Sequence, residues 1–143
     1  MGTDVVNGKV IQVIGPVVDV EFPPDSLPSI NTAVEFDVDA GGGEIIAVMA
    51  EVAQQLGEGR VRAVALKPTD GLRRGQTVRN LGHGIQVPVG DVTLGHVWNV
   101  IGQPLDVPIE SLDIQTRWDI HRHAPSFDSL EPTKQVLVTG IKV

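Results

Sequence analysis

The chain has no cysteine and no tyrosine, and its other aromatic rings are limited to three Phe, two Trp and four His in 143 residues. Without cysteine there are no disulfides, no thiolate metal site and no cysteine nucleophile. With so few rings, the core must be built from Val, Ile, Leu and Ala, and little is available for stacking nucleic-acid bases. Positive charge is also scarce: 11 Lys and Arg face 18 Asp and Glu, a formal net charge of −7. A patch that tracks phosphates, or one that sits on anionic lipid, needs clustered cations, so neither nucleic acid nor a lipid surface is an expected partner. No apolar run approaches the ~20 residues of a membrane span. The N-terminus lacks a basic stretch followed by an apolar one, and Val6 stands where acylation at Gly2 would need Ser or Thr. A soluble protein without direct membrane insertion is expected.

Turn-forming residues are plentiful. Sixteen Gly and ten Pro favour many short elements over a few long helices, in a chain of ordinary globular composition (41% hydrophobic, 20% charged). Residues 1–7 show no pattern and read as a lead-in. Val10–Ile14 and Val17–Phe22 are apolar runs on either side of Gly15-Pro16. In the second, Val18, Val20 and Phe22 alternate with Asp19 and Glu21, the period-2 signature of a strand with one face in a core. A Pro-rich loop follows at Pro23–Pro28. Ala33–Val38 alternates again, and Asp39–Gly43 reads as a hairpin turn. Ile45–Val52 is nearly all apolar and suits a strand covered on both faces or a short buried helix; its length, its β-branched residues and the Gly turn before it favour the strand, and a turn is expected at Gln54–Gly59. Arg60–Leu66 sets Arg60 and Arg62 opposite Val61, Ala63 and Ala65. Pro68–Gly71 supplies Asp-Gly turn chemistry, and Gln76–Asn80 is a further short strand. Six strands at this spacing predict a small closed barrel or a sandwich.

The pattern changes after Gly82. Ile85–Val89 is strand-like. Thr93–Val100 predicts the start of a short helix with Asp91 or Thr93 as its N-cap. Pro104–Ile114 reads as loop, Trp118–Phe127 carries His121, Arg122 and His123, and Gln135–Thr139 reads as a strand. An apolar end at Val143 looks like a cut rather than a natural terminus.

Chemistry-bearing patterns are thin. No Gly-x-x-x-x-Gly-Lys-[Ser/Thr] occurs; Gly41–Gly43 and Gly82-His83-Gly84 read as turns rather than phosphate cradles. His121 and His123 would share a face of a strand and could ligate a metal, but no third ligand is evident, and a surface pair fits better. Asp19 and Glu21 resemble a carboxylate pair without a cleft around it, so a solvated strand face is the simpler reading. Arg73 and Arg74 with Arg60 and Arg62 could form a basic strip, but at this net charge they are expected to pair with acids or a partner. No serine sits in a nucleophile elbow. No catalytic, cofactor-binding or metal-ligating residue is therefore assigned.

Five segments, in order and with matching separations, carry a resemblance: GKVIQVIGPVVDVEFP from Gly8, EVAQQLGEGRVRAVALKPTDGLRRGQTV from Glu51, IQVPVGDVTLGHVWNVIGQPLD from Ile85, RWDIHRHAPSF from Arg117 and VLVTGIKV from Val136. Together they resemble the N-terminal portion of the catalytic beta subunits of F-type ATP synthases, from Gly8 to Val143. Glu51–Gly57 and Thr69–Gly75 look like beta rather than the non-catalytic alpha subunit. The Gly-rich stretch in Asp37–Ile46 looks longer than usual. The resemblance implies a mainly β fold: a six-stranded N-terminal barrel over 8–82, then the incomplete start of an α/β nucleotide-binding domain over 83–143, cut before the phosphate loop. It implies hexamer assembly through the barrel, alternating with alpha subunits, and a central-stalk gamma subunit as partner of the complete protein. That protein would make ATP from ADP and phosphate by rotary catalysis coupled to proton or sodium transport. Mg-ATP and ADP would be bound by residues beyond Val143, so this stretch alone should be inactive. The short lead before Gly8, with no Arg-rich transit segment, looks bacterial and implies a cytoplasmic protein peripheral to the inner face of the plasma membrane. A competing expectation is a free-standing small-barrel interaction module without catalysis.

Overall fold

The computed structural model describes residues 7–39, 41–133, 135, 136 and 138. Six strands dominate it: β1 Asn7–Ile14, β2 Val17–Glu21, β3 Thr32–Asp39, β4 Ile45–Gly57, β5 Arg60–Ala65 and β6 Thr77–Gly84. They close into an antiparallel barrel in the order β1-β2-β5-β4-β3-β6, with β6 returning to β1. Closure leaves no barrel edge unpaired. Of the two architectures open to this strand spacing, the barrel is the one formed.

Alternation decides which side chains enter. Val18 and Val20 of β2, Val34, Phe36 and Val38 of β3, Val48 and Val52 of β4, and Val61 of β5 are buried. Each such side chain contributes about 1.5–3 kcal/mol relative to remaining in water. Small residues sit beside large ones so that the narrow interior can fill: Ala63 lies between Val18 and Val52 in the pairing register. Only two rings, Phe22 and Phe36, enter this core.

The turns follow from glycine. Gly15-Pro16 makes a two-residue hairpin between Ile14 and Val17, with Gly15 at φ +56°. Glu58-Gly59 joins β4 to β5, and both residues have positive φ, as this kind of tight hairpin demands. The β3–β4 register is regular, Asp37 to Ala47 and Asp39 to Ile45, so the Gly-rich stretch is absorbed entirely by the hairpin tip.

Several elements differ from expectation. β4 runs through the turn expected at Gln54–Gly59 as far as Gly57, because bulges at Val52/Gln54 and Gln55/Gly57 let it bend while staying paired. It also has only one buried face: Val48, Ala50 and Val52 point in, whereas Ile45 is 63% exposed. β6 continues through Gly82-His83-Gly84 to pair with Thr32, where a turn was expected.

After β6 the chain forms a two-stranded sheet, β7 Gln86–Pro88 with β8 Arg117–Asp119, and single 3-10 turns at Asp91–Thr93, Ile109–Ser111 and Phe127–Ser129. No helix forms over Thr93–Val100. Instead Asn99 caps a tight loop, accepting N–H bonds from Ile101 and Gln103, while Trp98 bridges Pro104. Gly95 and these Asn99 bonds offer the backbone an alternative to helical pairing. The strand expected at Gln135–Thr139 lies partly outside the described residues; of it, Val136 and Val138 are exposed. Met1–Val6 of the lead-in and Gly140–Val143 also lie outside them.

Candidate functional site

The outer wall of the barrel carries two kinds of surface. One is a charged belt built by cross-strand register. Asp19 lies opposite Arg62 and Glu21 opposite Arg60. Arg62 donates from Nε to Asp19 Oδ1 at 2.8 Å and from Nη2 to Oδ2 at 2.9 Å. Those bonds hold the Asp19 carboxyl below the usual carboxylate range despite its burial. On β6, Arg79 donates to Glu35 Oε2 at 2.9 Å and to both oxygens of Asp37 at 2.8 and 2.9 Å. Glu35 and Asp37 stand two apart on the outer face of β3, so one guanidinium fork spans both. Asp37 is held low by Arg79, and Arg79 is pushed up, by Asp37 first and Glu35 second.

The other surface is apolar. Ile14 lies beside Val17, Val17 beside Val64, and the Leu66 N–H bonds the carbonyl of Met49. Alternation along β4 puts Met49, Ala47 and Ile45 on the same outer face. The path crosses β1, β2, β5 and β4. Ile14, Val64 and Leu66 are 56%, 38% and 37% exposed. Scattered exposed apolar residues are ordinary; a row joined by strand register is the pattern of a contact face.

The family model for the ATP synthase alpha/beta family, beta-barrel domain, matches residues 10–82. The chain belongs to the ATP synthase alpha/beta family. The match opens in β1 at Val10 and closes in β6 at Gly82, so it covers all six barrel strands. The family's barrel and the closed barrel described above are thus one object. Among the described residues no helix is long and apolar enough to cross a membrane.

The candidate residues of this family member are dispersed. Asp19 and Glu21 do share an outer face, but each faces an arginine, Asp19 in a bidentate pair and Glu21 with Arg60 Nε at 3.8 Å. Arg60 and Arg62 are therefore committed to acids. His121 and His123 do not converge: His121 Nε2 is 2.8 Å from Glu51 Oε2, and His123 is exposed in a loop. Among the described residues no three His, Asp or Glu side chains gather as a metal site would require.

Neither glycine set among the described residues forms a phosphate cradle. Gly41–Gly43 leads into strand β4, and Gly82 and Gly84 lie within β6, so neither set aims backbone N–H groups from a helix start at an anion. Two features escaped sequence reading. The Arg79–Glu35–Asp37 cluster could have been found by pairing the alternation of Ala33–Val38 antiparallel with Gln76–Asn80. The second is a link between His96 and Asp106: His96 Nδ1 is 2.7 Å from Asp106 Oδ2, and that hydrogen bond lowers the Asp106 pKa. It closes the loop that Asn99 organises.

Proposed function

We propose that this chain is the N-terminal part of a catalytic beta subunit of an F-type ATP synthase, and that its own work is assembly. The observation that carries the reading is the family match over a closed barrel whose outer wall bears a register-joined apolar row from Ile14 to Ile45. Such a row is suited to the wall of a neighbouring barrel, and the charged belt beside it would set orientation. The beta assignment, over alpha, is supported by Glu51–Gly57 and Thr69–Gly75.

In this reading residues 83–143 open the nucleotide-binding α/β domain. ATP formation, the Mg-nucleotide site and the coupling to ion transport belong to residues beyond this stretch. The partners are alpha subunits in an alternating hexamer and a gamma subunit on its axis, at the inner face of a bacterial plasma membrane. No step of chemistry is assigned to the residues present.

Co-expression with alpha and gamma subunits, followed by size-exclusion chromatography with light scattering, tests the assembly. An alternating hexamer is expected, lost in a Val64→Glu/Leu66→Glu variant whose barrel still melts cooperatively. A protein that stays monomeric beside its partners, and that peptide mapping in its source cell shows to be only 15.3 kDa, would instead be a free-standing interaction module.

A further inference from the structure

Two contacts tie the segment after the barrel to the barrel wall. The first is covalent. Gly84 pairs with Thr32 at the end of β6, and Ile85, next in the chain, is 2% exposed. The Ile85 carbonyl then accepts the Ile120 N–H at 2.9 Å, which brings the far strand back beside it. The second point is the neighbouring residue: His121 Nε2 lies 2.8 Å from Glu51 Oε2, across 70 positions of sequence. Glu51 is on the outer face of β4 opposite Ala33 of β3. Ala33 is on that outer face too, and it has no exposed surface.

A polar cavity of about 180 Å³ lies between the two points, lined by Ile30, Asn31, Thr32, Gly84, Asp119 and His121. On the other side a cleft of about 300 Å³ separates Met49 on the wall from Ile101, Ile109 and Arg117 of the segment. A two-stranded sheet such as β7–β8 is marginal by itself and depends on what it leans against.

We infer that His121 and Glu51 form a clasp that sets the position of the post-barrel segment against the barrel wall, with buried Ile85 as its pivot. Closed, the clasp fixes the segment at two points. Open, it leaves the pivot, and β7–β8 swings away from β4. The pair is partly exposed, with side-chain exposures of 48% for His121 and 22% for Glu51. It is therefore strong enough to bias the position and weak enough to release it. An exposed pair of this strength changes an opening equilibrium about twofold to fivefold. The other charged groups near His121 are otherwise placed: Arg122 lies 3.6 Å over the Trp118 ring, and Asp119 faces the polar cavity.

Hydrogen exchange of the whole protein reads the clasp directly at the Ile120 amide. His121→Ala and Glu51→Ala are each expected to speed that exchange about twofold to fivefold, with the amides of β1 to β3 unchanged. The double variant should be no faster than the quicker single, because both remove one contact. Single variants that leave Ile120 exchange unaltered would overturn the clasp. So would a double variant whose effect is the product of the two singles, since the two residues would then act independently. Should one variant loosen the barrel itself, His121→Gln serves as the control: it keeps a donor toward Glu51 and should restore slow exchange at Ile120.

Discussion

The Phe22 ring lies directly over the Cα of Gly8, so closely that a Cβ added at Gly8 would stand 2.8 Å from the ring carbons Cε1 and Cζ and 2.8 Å from the Glu21 carbonyl oxygen. Phe22 is 2% exposed and its N–H bonds the Gly59 carbonyl, so it plugs one end of the barrel where β1, β2 and the β4–β5 hairpin meet. Phe22→Ala should cost about 3–5 kcal/mol. Gly8→Ala should cost about 1–3 kcal/mol through overpacking, and Phe22→Leu should recover part of that loss. Urea titration of the four proteins measures it. A Phe22→Ala loss below about 1 kcal/mol would remove the ring from the core.

Asp19 leads to a pH dependence. Its folded pKa is below the unfolded one, because Arg62 bonds the ionised form. A depressed pKa contributes stability that is present above the unfolded carboxylate value, about 3.9, and is lost as pH falls through the folded value. Asp37, held low by Arg79, adds in the same direction. Urea midpoints should therefore hold steady near neutral pH and fall below about pH 4. Asp19→Asn should be about 1 kcal/mol less stable near neutrality, a modest figure because Arg62 is more than a third exposed, and the gap should close in acid. A gap that stays constant down to low pH would show that the carboxylate is not the source.

Much of the barrel is legible because its strands keep period 2. The alternation of Val18, Val20 and Phe22 with Asp19 and Glu21 states both the strand and its buried face, and Val61, Ala63 and Ala65 do the same for β5. The ends of β4 and β6 are not legible, since a bulge lets a polar Gln54-Gln55 stretch remain paired and Gly82-His83-Gly84 carries no pattern. Leu94, Val97, Val100 and Ile101 recur at helical spacing, yet the Asn99 side chain settles that region as a loop. β8 is three residues long and exists only because Gln86–Pro88 is beside it. The position of His121 is the least legible of all, because its partner on β4 is fixed by the way the chain returns to the wall. A local pattern that set His121 beside His123 had no means of finding Glu51.

Gly71 should tolerate no side chain. It has φ +93°, and an added Cβ would fall on the Asp39 carbonyl oxygen. The turn it completes, with the Leu72 N–H bonding the Thr69 carbonyl at 3.0 Å, lays the loop before β6 against the end of β3. Gly71→Ala should destabilise by about 2–4 kcal/mol, combining left-handed strain with a backbone clash. Gly75, also at positive φ but with nothing within 4 Å of its Cβ position, should lose only about 1 kcal/mol as Ala. Equal losses at the two sites would mean that the close approach to Asp39 does not hold in solution.

Arg79 separates charge balance from packing. Its fork joins Glu35 and Asp37, and the three side chains are 36%, 28% and 43% exposed. Removing the guanidinium leaves two carboxylates two residues apart on one strand face with no cation between them. Arg79→Gln should therefore destabilise by about 1 kcal/mol in low salt, and salt should relieve part of the loss by screening the repulsion. Arg79→Lys keeps the charge but cannot span both acids, so it should fall between the two in low salt and respond less to salt than Arg79→Gln. Thermal melts of the three proteins across a salt series distinguish the causes. A salt-independent loss in Arg79→Gln would assign the effect to the packed stem of Arg79 along β6 instead of to its charge.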